Sequence, residues 1–176
     1  MIAAPLRPLL KAALALVFSL AAVVACAQDF PKLKAGLWEV SMAAGSANPQ
    51  STPKITTMCL DDSVQQEMYK MSTGMMSGMC SKHDIKVAGN KVTTIADCNL
   101  GATMMQSRSV MTLTGNTAYR TEAHATFDPP MNGTKESSTV IDGKHVGACK
   151  PGQQPGDMTL PTGQTINIRQ MMGRKG

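Results

Sequence analysis

The chain has 176 residues, a formal net charge of +5 and only 3% aromatic residues, against 15 methionines and five cysteines. Nucleic-acid binding needs a dense Lys/Arg stripe with aromatics to stack on bases; here the lysines are scattered, and a solvated surface accounts for them. Phosphate-loop, Gly-x-Ser-x-Gly and His-Glu-x-x-His patterns are absent, so no enzyme class with a local signature is indicated.

Arg7 and Lys11 precede an apolar run from Ala12 to Ala25 that ends at Ala25-Cys26-Ala27. A basic start, a short apolar core and a small-x-small end make an export signal, over residues 1–27. The run is shorter than a membrane span. Removing it leaves about 150 residues, one domain by size, with a charge near +3. Cys26 also fits a lipoprotein signal, in which it is acylated and anchors the protein to the outer membrane. The complete Ala-x-Ala site, with Val23 where such signals carry Leu, favours soluble export. Membrane association is expected only if Cys26 is lipidated.

Beyond the signal, Gly36 to Met42 alternates apolar and polar residues and reads as a first strand, and Ile55 to Leu60 as a second. Asp61-Asp62-Ser63 supplies helix-capping residues, with Gln65 and Gln66 placed for a capping box. Val64, Met68, Met71 and Met75 then recur at helical spacing, which predicts a helix from Asp62 to Met71, loosened beyond by Gly74 and Gly78. Period two returns after Cys80. Ile85 and Val87 pair across Gly89-Asn90 with Val92, Thr94, Ala96 and Cys98. Met105, Met111 and Leu113 share a face before Gly115-Asn116, and Tyr119, Ala123, Ala125 and Phe127 share the next. Asp128-Pro129-Pro130 is expected to end that strand, and Thr134 to Ile141 to form another before a turn at Asp142-Gly143.

The fold expected is therefore mainly β: an antiparallel meander, as a curved sheet or open barrel, with one helix between strands two and three. Residues 28–149 form this domain, and 150–176 a loosely held Pro/Gly-rich tail in which Ile166 and Ile168 could add a short strand.

Cys59, Cys80, Cys98 and Cys149 remain after the signal. No C-x-x-C occurs, so two structural disulfides are expected rather than a zinc ribbon or redox pair. Three pairings are open, with Cys59–Cys80 and Cys98–Cys149 favoured. His83, His124 and His145 stand in no catalytic motif, so surface or strand-edge roles are expected. Trp38 reads as a core plug. Asn132-Gly133-Thr134 matches a glycosylation sequon of little weight.

Met75, Met76, Met79 and His83 lie close in sequence. Thioethers select Cu(I), which makes this segment a candidate copper site. The competing account is packing, with Met68, Met71 and Met75 as a buried helical stripe in an aromatic-poor core.

The order of short motifs resembles the bacterial exported "domain of unknown function 3617" family. An export signal precedes Gly36-Leu37-Trp38-Glu39, then comes Met58-Cys59-Leu60 before a helix. Cys80 and Cys98 flank a hairpin, and Gly147-Ala148-Cys149 closes the match. The resemblance implies a small periplasmic domain with paired cysteines, and carries no catalytic residues with it. The functional expectation is a non-enzymatic binding or interaction domain for a small apolar ligand or an envelope protein, with no cofactor. A Cu(I)-binding protein is the alternative.

Overall fold

The computed structural model describes residues 30–45 and 53–173, so the expected export signal, with Cys26, lies outside the described residues. Nine strands form one antiparallel sheet in the order β3-β4-β5-β6-β7-β1-β2-β8-β9. These are β1 (Gly36–Gly45), β2 (Lys54–Leu60), β3 (Cys80–Ala88), β4 (Lys91–Asn99), β5 (Met104–Thr114), β6 (Ala118–Met131), β7 (Thr134–Gly147), β8 (Asp157–Thr159) and β9 (Thr165–Asn167). The sheet is open, with β3 and β9 at its edges. Strands β3 to β7 are a meander, as expected, and β1 is laid between β7 and β2.

The helix α1 (Asp62–Met79) joins β2 to β3. It runs eight residues further than its predicted end at Met71. Neither Gly74 nor Gly78 interrupts it, because a single helical glycine costs only about 1 kcal/mol. At ~1.5 Å per residue its 18 residues span about 27 Å. Six inter-strand steps separate β2 from β3, roughly 29 Å at about 4.8 Å each. The helix is thus as long as the sheet between its two anchors is wide, and it crosses one face, here called the inner face.

Alternation assigns the side chains. Trp38, Val40 and Met42 of β1 share the inner face with Tyr119, Thr121 and Ala123 of β6, and with Gly143 and Ile141 of β7. Charged residues such as Glu39, Arg120, Glu122, Asp142 and Lys144 take the outer face. The core sits where α1 begins. Trp38, Leu60 and Val64 are buried together, flanked by Leu33, Met58, Met68, Tyr119 and Ile168.

Two strand limits differ from expectation. Strand β6 continues through Pro129 and Pro130 to Met131. Its pairing with β7 lapses between Thr126 and Met131, and its pairing with β5 ends at Asp128, so neither neighbour needs the missing proline N–H groups. Likewise Asp142-Gly143 is no turn but the middle of β7, where Gly143 lies opposite Tyr119. A Cβ on Gly143 would collide with the Tyr119 ring.

The disulfides are Cys59–Cys149 and Cys80–Cys98, not the favoured Cys59–Cys80 and Cys98–Cys149. The reason is geometric. Helix α1 holds Cys59 and Cys80 far beyond the ~7 Å between Cα atoms that a bridge tolerates. Cys80 and Cys98 are direct cross-strand partners in β3 and β4. Cys59 pairs with Leu37, which pairs in turn with Gly147, so the chain leaving β7 passes close to Cys59.

The stretch after Cys149, read from composition as loose, is built into the fold. Strand β8 extends the β2 edge, β9 pairs with β8, and α2 (Ile168–Gly173) places Ile168 against the core.

Candidate functional site

Helix α1 is fastened at its first turns. Asp61 caps it, its Oδ1 accepting from the Val64 N–H at 2.8 Å. That hydrogen bond, more than any other contact, holds the Asp61 carboxyl below its usual pKa. Gln65 does not complete a capping box. Its side chain instead binds the backbone of Leu33, accepting from the N–H at 2.8 Å and donating to the carbonyl at 3.0 Å. Arg169 of α2 donates from Nε to Glu67 Oε2 at 2.8 Å and reaches Ser63 with its other end. Phe30 lies 5.4 Å from Tyr69, ring centre to ring centre.

Beneath this end, Trp38 stacks on Tyr119 at 5.8 Å and meets the His145 ring edge-on at 5.9 Å. The indole N–H donates to the Lys34 carbonyl at 2.8 Å. His145 Nε2 donates to the Ala35 carbonyl at 3.1 Å. Gly36, at φ +135, leaves the space that His145 and the Gly147 carbonyl occupy. Trp38 is thus the core plug that its position in the first strand implied, and His145 serves the core. His124 sits on the exposed outer face, 3.5 Å from Glu136.

The far half of α1 is different. At about 100° per residue, Met68, Met71, Met75 and Met79 all fall within about 60° of Val64 around the helix. They form one stripe. Yet Val64 is fully buried and Met68 half-buried, while Met71, Met75 and Met79 are 42%, 56% and 41% exposed. The expected buried stripe of Met68, Met71 and Met75 is therefore covered only at its N-terminal end. The inner sheet face away from the core is also only partly covered: Val40, Ser107, Ala123, Ala125 and Ile141 are half-buried and Met42 is 52% exposed. On the same face Val92, Ala96 and Cys98 of β4 and Leu113 of β5 are buried, so what is left open is the methionine stripe of the helix and the part of the sheet face around Met42, Ala123, Ala125 and Ile141.

Of the four residues singled out for metal binding, Met75 and Met79 are neighbours on this stripe. Met76 lies off it, half-buried, with its Sδ 3.4 Å from Cys80 Sγ. Cys80 is in a disulfide and has no S–H, so this is a packing contact. His83 is half-buried on edge strand β3, opposite Ala96 on the inner face. Met79 extends the stripe by one further turn, at a spacing of four from Met75.

A concavity of about 890 Å³ lies on the outer face between β5 and β2. Its floor carries Arg120, whose Nη1 donates to both Asp142 carboxylate oxygens at 3.0 and 2.9 Å and whose Nε donates to Glu122 at 3.3 Å. These charges satisfy each other in open solvent.

No curated protein and no solved structure matches the chain. A family model described as "Protein of unknown function (DUF3617)" matches residues 33–149, from the segment held by Gln65 to the last bridged cysteine. The chain therefore belongs to the DUF3617 family of proteins of unknown function.

Proposed function

We propose that the protein is a small, non-enzymatic periplasmic binding or interaction domain that holds an apolar ligand or partner between the open half of α1 and the inner sheet face. The observation that carries the reading is the change in cover along one stripe, from fully buried Val64 to a Met75 that is 56% exposed. Methionine is suited to such a surface, because its flexible, polarizable side chain adapts to different shapes. The small side chains of Ala123 and Ala125 on the inner face are only half-buried and add to the room. Periplasmic location is supported by the export signal and by four cysteines paired in two bridges. Among the described residues no helix is long and apolar enough to cross a membrane.

The test is binding of a fluorescent apolar probe, anilinonaphthalene sulfonate, to the oxidised protein. Met71→Gln/Met75→Gln is expected to weaken probe binding clearly, and Glu122→Gln on the outer face to leave it unchanged. Equal binding by all three proteins would remove the stripe from the function.

A further inference from the structure

We propose that the C-terminal end of α1 carries a soft-metal site in which the thioethers of Met75 and Met79 and the imidazole of His83 bind Cu(I). The competing account of Met75 is core packing, against which it is 56% exposed, and Met79 is 41% exposed. Residues four apart on a helix stand next to each other on its surface, so the two thioethers are neighbours. His83 follows where α1 passes into β3, on the same inner face that the stripe overlooks. Among the described residues it has no hydrogen-bond or ion-pair partner, unlike His124 and His145.

The surroundings favour a cation. The last turn of α1 has no basic residue, and residues 71–81 carry no charged side chain at all. The partial negative charge of the helix C-terminus therefore meets no cationic side chain within its last turn, and Lys82 beyond it is paired with Asp84 at 3.8 Å. No three His, Cys, Asp or Glu side chains converge among the described residues, so a hard-cation cage is not available. Thioether donors select Cu(I), and imidazole is a good ligand for copper. Cys80 is committed to its bridge and supplies no thiolate, and Met76 is packed on that bridge. The donor set is thus Met75, Met79 and His83, and it is present in the oxidised protein. A Cβ at Gly74 or Gly78 would meet nothing, so those two positions of the last turns are unpacked. This site does not rest on the apolar-ligand reading.

The experiment is anaerobic competition for Cu(I) between the oxidised full-length protein and a chromogenic Cu(I) chelator. The wild type is expected to withdraw one equivalent. Met75→Leu/Met79→Leu should weaken binding at least about tenfold, and His83→Gln should act in the same direction. Met171→Leu, which alters a 60% exposed methionine on α2, should have no effect. Leucine keeps the helix, so circular dichroism should survive in the double variant, while Met71→Gln, outside the donor set, should weaken apolar-probe binding and keep Cu(I) affinity, so that the two readings can fail separately. Failure of the wild type to compete overturns the proposal. So does undiminished affinity in Met75→Leu/Met79→Leu, which would mark adventitious binding.

Discussion

The two ends of α1 are made from one stripe of side chains, and they are held in different ways. From Asp61 to Met68 the helix has a cap, a glutamine tied to the backbone of Leu33, an arginine clamp from α2 and a buried valine. From Met71 to Met79 it has exposed methionines, two unconstrained glycines and a single fastening at its end, through Cys80. Burial at one end fixes where the helix sits. Exposure at the other leaves apolar surface that the fold does not use for its own stability. That division places stability at the Trp38 end and leaves the methionine end for the recognition proposed above.

Substitutions should separate the two ends by size of effect. Cys59→Ser/Cys149→Ser opens a bridge with a sequence separation of 90, and is expected to cost about 4–5 kcal/mol in urea unfolding. Opening Cys80–Cys98, with a separation of 18, should cost less, about 3 kcal/mol. Trp38→Ala, at the centre of the anchored end, should cost about 3–5 kcal/mol. A loss below about 1 kcal/mol there would mean that the core lies elsewhere.

Asp61→Ala removes the cap and should cost about 1 kcal/mol at neutral pH. The Asp61 pKa is lower folded than unfolded. Its contribution is therefore complete above the unfolded value, near 3.9, and lost as pH falls through the folded one. The difference between wild type and Asp61→Ala should shrink in acid and be constant above about pH 5. A difference that grows in acid would contradict the capping assignment.

At the open end the effects should be small or reversed. Met71→Ala and Met75→Ala are expected to change stability by less than about 0.5 kcal/mol. Gly74→Ala and Gly78→Ala should each raise it, by up to about 1 kcal/mol, since a Cβ meets nothing at either position. A cost of about 2 kcal/mol or more at Met71 would show that the stripe is covered after all.

Much of this was legible in the sequence, where it depended on neighbours along the chain. Alternation and the turns at Gly89-Asn90 and Gly115-Asn116 placed β3 to β6, and Asp61 announced the start of α1. What was not legible depended on register. Gly143 looks like a turn residue until Tyr119 is known to lie across from it. Pro129 looks like a strand terminator until the ladder around it is known to lapse. The disulfide pairing followed from helix length, and the helix was expected to be too short. For the candidate site, Met75, Met76, Met79 and His83 were visible as a group. That Met76 turns away to the bridge, and that Met71 and Met75 are uncovered, required the sheet to be in place beneath them.

Amide hydrogen exchange along α1, read by mass spectrometry on the oxidised protein, tests the division most directly. The account predicts strong protection for amides around Val64 to Met68 and far faster exchange from Ser72 to Met79, with the second group slowing when an apolar ligand binds. Uniform protection along the helix, unchanged by ligand, would contradict it.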